Sequence, residues 1–315
     1  MDTMTLYEEK AVNEIIKWRD EKEGLVSKTI SLITKPLGWM FDDMLPEKMA
    51  IKIENSIMTF MELLKDVAAW TFSEEAILKK AEKQQIYVSK ISELKGQDMK
   101  KLDILAKGYF MPNKIIASLE GGGFGLGGAT LVPVDIMGLF TLGFRAVQQI
   151  GSCYGFDLKE PRFSAIVMYI FSVCSNSSVF NKTLALADMR CTAKVILNDL
   201  AYRQIVEDTN AGIIAVLSLN RLTSTKVFTE FIEQSPVALL SLNSLAFNPK
   251  EIAKYFTKKK LAQLIPVLGS GVGAGINYWF LNSTCETSYM LFRELFLSEK
   301  YAEYRQNCTF RGVSS

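Results

Sequence analysis

Two observations on the sequence predict an all-α protein, and a third predicts a single domain. Apolar residues recur at helical spacing, whereas no run alternates apolar and polar residues over the length of a strand. Helix-capping signatures recur along the chain. No linker rich in serine, proline and glycine divides the 315 residues. We therefore expect a single multi-helix domain over 1–315, with N-terminal helices over 6–110 and glycine-rich core helices over 112–315.

The first two predicted helices rest on apolar spacing. Residues 6–22 place apolar side chains close to helical spacing around Trp18. A second helix is predicted over 46–70, because Pro46 suits a first helical position. The apolar stripe of this second helix comprises Met49, Ile53, Ile57, Phe60, Met61, Leu64 and Ala68.

The third predicted helix begins with a cap. Ser73 precedes Glu74 and Glu75, which is typical of an N-cap with acids in the first turn. The pattern predicts that this helix continues to about Leu94 and stops at Gly96.

Four stretches are poor in charge, and three of them approach the roughly 20 residues of a bilayer span. Polar residues and prolines interrupt each of these three, so none resembles a plain leucine-rich anchor. Two interpretations stay open, namely buried core helices or a protein that docks on or partly inserts into a membrane. The stretches are 121–144, 163–181, 211–220 and 261–285.

Two of these stretches share small residues at helical spacing. LVPVDIMGLFTLGF covers 131–144, and LIPVLGSGVGAGINYWF covers 264–280. Small residues on one helix face let another backbone approach closely. We therefore predict two glycine-rich central helices over 129–153 and 267–297.

The glycine run EGGGFGLGG at 120–128 invites two interpretations. One is a phosphate cradle at a helix N-terminus, and the other is a packing turn where side chains do not fit. No Gly-Lys-Ser/Thr follows the run, no strand precedes it, and Glu120 would repel a phosphate. We favour the packing turn.

The same run carries a family resemblance. With P-V-D at 133–135, R-A-V-Q-Q-I at 145–150 and Y-G-F-D at 154–157, it resembles the central signature of the EcsC protein family. P-V-L-G-S-G-V-G-A-G-I-N-Y at 266–278 is similar to that family's second glycine-rich segment.

The resemblance implies a bacterial helical protein that is cytosolic or associated with the inner membrane. The family takes its name from a protein encoded beside an ABC transporter. The resemblance assigns no catalytic residues to this chain. Phe124 stands where threonine is more frequent, which puts any polar role of that position in doubt.

Composition excludes several kinds of chemistry. The chain has no histidine, so catalysis by Ser-His or Cys-His pairs cannot occur within it. Its five cysteines form no CxxC pair, which indicates reduced thiols in a cytosolic setting. A net charge of +2 gives no broad field for nucleic acid. We expect no cofactor and no metal site.

Four charged residues stand out because they fall in or beside charge-poor segments, namely Glu120, Asp135, Arg145 and Asp157. One interpretation is capping and buried ion pairs that tie helices together. The other is a pocket in which two carboxylates bind a metal or act as acid and base. The spacing alone does not decide between them.

Two segments suggest membrane contact. Lys258, Lys259 and Lys260 precede an uncharged stretch and suit anionic headgroups. Trp39 and Phe41, beside a proline and a glycine, are typical of an interfacial segment.

The leading hypothesis is a non-enzymatic accessory factor beside an ABC transporter or envelope system, cytoplasmic with peripheral or partial inner-membrane association. Its partners would be membrane lipid or a membrane transporter. The alternatives are an enzyme with a histidine-free carboxylate pocket and a soluble helical scaffold that forms a homo-oligomer.

Overall fold

A computed structural model describes seven helical segments and the loops next to them. The described residues are 4–21, 51, 55, 72–125, 132–158, 170, 171, 173, 174, 182, 183, 185, 186, 189 and 269–301. The segments are α1 (Leu6–Asp20), α2 (Glu74–Glu82), a 3-10 helix (Ile91–Gly96), α3 (Met99–Lys107), α4 (Phe110–Gly125), α5 (Val132–Cys153) and α6 (Gly269–Lys300). No strand occurs in these ranges, which confirms the all-α prediction.

Side chains cap the N-termini as the local sequence dictates. At α1 a capping box forms: the Glu8 amide donates to Thr5 Oγ1, and the Thr5 amide donates to the Glu8 carboxylate. The predicted N-cap Ser73 is confirmed, since its hydroxyl accepts a 3.2 Å hydrogen bond from the Ala76 amide. Asp98 caps α3 in the same way.

The prediction that the third helix continues to Leu94 is wrong. α2 ends at Glu82, and Gln85 adopts a φ of 61°. The Ile86 amide donates to the carbonyl of Ala81 at 3.0 Å, which closes the helix as a glycine C-cap normally does. Ile86 is buried, so its burial stabilises the turn. The 3-10 helix that follows ends at the predicted Gly96.

The long helices predicted over 129–153 and 267–297 correspond to α5 and α6. Within the described residues α6 packs most extensively against α4, and also against α5. Phe140 of α5, Phe280 of α6 and Phe171 form an aromatic cluster with ring centroids 5.4–5.9 Å apart. This cluster lies against Gly143, where an added Cβ would lie 3.0 Å from two of the rings.

The first part of the glycine run is helical, which differs from the predicted packing turn. Residues 120–125 continue α4 as helix, and 126–131 lie outside the described residues. The described glycines therefore stand at a helix C-terminus, where the helix dipole disfavours a phosphate. A glycine closes the C-terminus of α5: Gly155 has a φ of 83°, and the Phe156 amide donates to the Gly151 carbonyl.

Several predicted segments lie outside the described residues. They are most of the helix over 46–70, the stretch 211–220, and all the predicted membrane contacts, namely Trp39, Phe41, Lys258, Lys259 and Lys260. Within the described ranges, no helix joins sufficient length to an apolar composition that would let it cross a bilayer.

Candidate functional site

Three of the four predicted site residues lie together where α4, α5 and α6 meet. The buried Asp135 carboxylate accepts a 3.1 Å hydrogen bond from the Asn277 amide. Burial raises the pKa of Glu120, the Asp135 carboxylate raises it further, and Arg145 opposes both effects. The Glu120 Oε2 atom is buried and forms no hydrogen bond within the described part of the chain. We call these four side chains the Glu120 cluster.

Asp157 does not join this cluster. It follows the end of α5, whose last residue lies about 27 Å along the helix axis from Asp135 at 1.5 Å per residue. The Glu120 cluster thus contains two carboxylates rather than three. Across the described ranges, no group of three or more Cys, Asp or Glu side chains could hold a metal ion.

A second polar network is centred on Asp103 of α3, which sequence reasoning missed. Its carboxylate accepts hydrogen bonds from the hydroxyls of Tyr7 (2.7 Å) and Tyr154 (2.6 Å). Arg293 of α6 lies 3.0 Å from the same carboxylate and donates to Glu14 at 2.9 Å. Burial and the Asp103 charge raise the pKa of both tyrosines. The network therefore joins α1, α3 and α6 to the turn that follows α5.

A third network joins the two ends of the described chain. The buried Glu8 carboxylate accepts hydrogen bonds from Lys300 (2.7 Å) and Tyr301 (2.8 Å), besides that from Thr5. Burial alone would raise the pKa of Glu8, but the hydrogen bonds outweigh it and hold the pKa at about 2. The pairs Glu8–Lys300 and Glu14–Arg293 show that α1 and α6 run antiparallel.

A cleft of about 370 Å³ opens between α1 and α6 and is closed on one side by the α3–α4 junction. We call it the α1–α6 cleft. Its walls include Trp18, Glu21, Phe110, Asn282, Glu286 and Tyr289. Sequence reasoning did not find it, because the walls come from three separate parts of the chain.

The described cysteines are buried free thiols, namely Cys153, Cys174 and Cys285. Burial raises the pKa of Cys174 to about 11 and that of Cys285 to about 12. Both thiols are therefore uncharged at neutral pH, which makes them poor nucleophiles.

The described residues thus define an all-helical protein whose buried polar networks hold its helices together beside the open α1–α6 cleft. Its sequence matches the EcsC protein family over residues 9–295, and the chain belongs to this family. It is similar to the uncharacterized protein YdbA of Bacillus subtilis (strain 168), with 22% identity over 296 residues that cover 93% of each chain. No solved structure gives a significant match.

Proposed function

We propose that the protein is a non-enzymatic accessory factor that binds an anionic membrane surface peripherally, beside a transporter or another envelope system. The contact is an exposed face of α3 and α4, which we call the basic–apolar face. It comprises Lys100, Lys101, Ile104, Lys107, Met111, Ile115 and Leu119.

The apolar part of this face carries the proposal. Met111, Ile115 and Leu119 recur every four residues along α4, over about 12 Å of helix axis. They are 53%, 51% and 73% exposed, and Ile104 of α3 is 53% exposed. Isolated exposed apolar residues are common, but an aligned series of them is typical of an interaction surface.

The charges of this face favour a membrane as its partner. Lys100, Lys101 and Lys107 are exposed on α3, directly before the apolar series. The sole carboxylate between 99 and 119 belongs to Asp103, which is buried in its own network. Lysines beside apolar side chains match an anionic headgroup layer over acyl chains.

The energies are sufficient for reversible binding. Each lysine near an anionic surface contributes about 1 kcal/mol. Fully burying a leucine or isoleucine side chain contributes about 1.5–3 kcal/mol. Ile104 and Ile115 are about half exposed and Leu119 is 73% exposed, so each can bury a further part of its surface. Charge and apolar contact together provide the two signals that peripheral binding requires. The segments predicted from sequence, 32–41 and 258–260, would add to this face rather than replace it.

Co-sedimentation with vesicles of varied anionic lipid content tests the proposal. We expect Lys100→Glu with Lys101→Glu to weaken binding by roughly 30-fold, since two lysine contributions are lost. Ile115→Ser with Leu119→Ser should also weaken binding. Lys10→Glu and Leu6→Ser are the matched controls, because both positions are exposed on α1.

Two outcomes would contradict the proposal. One is wild-type protein that stays in the supernatant at every lipid composition and at low salt. The other is a dimer without vesicles that Ile115→Ser with Leu119→Ser dissociates, which would assign this face to a second copy of the chain.

A further inference from the structure

The α1–α6 cleft has a polar end, at which hydrogen bonds from two lysines hold Asn282 and the C-terminus of α1 in place. The Lys114 ammonium donates a 3.1 Å hydrogen bond to the Asn282 Oδ1 atom, which leaves the Asn282 amide N–H groups to donate elsewhere. The Lys182 ammonium donates to the carbonyls of Trp18 and Glu21, at 2.8 and 3.0 Å, and so closes the C-terminus of α1. Both lysines are therefore already bonded to the protein.

Glu286 stands one helical turn from Asn282 in this polar end. Its partly buried carboxylate forms no hydrogen bond or ion pair with another residue of the described part of the chain. Burial raises the pKa of Glu286, and the Glu21 carboxylate raises it further, against the opposing effect of Lys182 and Lys114. A carboxylate in this position lacks the donor that buried charges normally have.

The rest of the cleft is aromatic and apolar. Trp18 and Tyr289 are almost fully buried, and the Phe110 ring meets the Tyr289 ring edge-on at 5.8 Å. Met290 completes this wall. An apolar wall with a few convergent polar groups is typical of a small-molecule site, and 370 Å³ lies at the small end of such sites.

We infer that the α1–α6 cleft binds a small amphipathic amine, with the ammonium group at the Glu286 carboxylate and the apolar part against Trp18, Phe110 and Tyr289. The ammonium group supplies the donor that Glu286 lacks, and its positive charge relieves the repulsion between Glu286 and Glu21. Lys17 and Lys107 also line the cleft, but an anion bound at Glu286 would meet the Glu286 and Glu21 carboxylates. Lys107 lines the cleft and also belongs to the basic–apolar face, but Glu286 and Glu21, the groups that attract the amine, do not belong to that face. The inference therefore does not depend on the membrane proposal.

Three probes of nearly equal shape test the inference on the wild-type protein. They are 2-phenylethylammonium, the neutral 2-phenylethanol and the anionic phenylacetate, each titrated by calorimetry and by ligand-observed NMR at neutral pH. We expect the ammonium probe to bind at least about tenfold more tightly than the other two, because a charge-assisted hydrogen bond exceeds a neutral one by this order.

Variants then locate the bound amine. Glu286→Gln should weaken binding of the ammonium probe by about tenfold, since it removes the charge and keeps the shape. Glu21→Gln lies at an exposed position and should weaken binding by a smaller factor. Glu82→Gln, on α2 away from the cleft, should leave binding unchanged.

The inference is overturned if phenylacetate binds as tightly as the ammonium probe, or if none of the probes binds at millimolar concentration. It is also overturned if folded Glu286→Gln binds the ammonium probe as wild type does. If Glu286→Gln fails to fold, the effect of Glu21→Gln and the three-probe comparison together test the inference. Because neither comparison involves vesicles, failure of the amine-binding inference would leave the membrane proposal unaffected.

Discussion

Replacing Arg293 with methionine should strongly destabilise the protein. Arg293 and Asp103 are both 1% exposed and lie 3.0 Å apart. Arg293→Met removes the guanidinium beside the buried Asp103 carboxylate and leaves it with neutral donors such as the hydroxyls of Tyr7 and Tyr154. Removing one partner of a buried ion pair costs about 3–5 kcal/mol, and we expect a loss of this size.

A double-mutant cycle separates the pair from its surroundings. Asp103→Leu alone should also be costly, but the double variant should cost less than the sum of the singles by about 0.5–3 kcal/mol, because no buried charge is left without a partner. Urea unfolding followed by far-UV circular dichroism measures each free energy of unfolding.

The exposed pair Glu75–Lys79 provides the control. Its two side chains are 74% and 69% exposed and 2.7 Å apart. Water screens such pairs, so Lys79→Met should leave the unfolding midpoint unchanged. The reasoning is refuted if Arg293→Met unfolds at the same urea concentration as wild type, or if the two single effects add without coupling.

Two further predictions concern pH and packing. Because the folded pKa of Glu8 is about 2 against an ordinary 4.5, its charge stabilises the fold above pH 4.5, and this contribution is lost as pH falls toward 2. Glu8→Gln should therefore lower the melting temperature at pH 7, and the difference from wild type should narrow between pH 4.5 and 2. A difference in melting temperature that does not depend on pH would refute this role of the Glu8 charge. Gly151→Ala should destabilise, since its Cβ would lie 2.6 Å from the Phe292 ring, whereas Gly275→Ala meets nothing within 4 Å and should stabilise α6 by up to about 1 kcal/mol. Equal melting temperatures for these two variants would contradict the close packing of Gly151 against Phe292.

Local features of the fold could be predicted from sequence. Ser73 signals a helix start through its hydroxyl and the acids after it, and Gly155 signals a helix end because glycine adopts a positive φ freely. The end of α2 could not be predicted, since Gln85 carries no such signal and the burial of Ile86 depends on tertiary packing.

The sites could be predicted only in part. Glu120, Asp135 and Arg145 stand out because they are isolated charges in apolar stretches, and the structure brings them together. Asp103 and Arg293 are 190 positions apart, and nothing in a single sequence links them. The basic–apolar face escaped notice for another reason, because an exposed series such as Met111, Ile115 and Leu119 has the same spacing as a core-facing one.

Hydrogen-exchange mass spectrometry with and without anionic vesicles tests whether the protein binds membranes through the basic–apolar face. We expect vesicles to slow exchange in peptides that cover 99–119 and to leave peptides of α2 unchanged, because only the first set contains the face. If vesicles bind the protein but leave the exchange of 99–119 identical, the basic–apolar face is not the membrane contact, and the contact lies elsewhere on the chain.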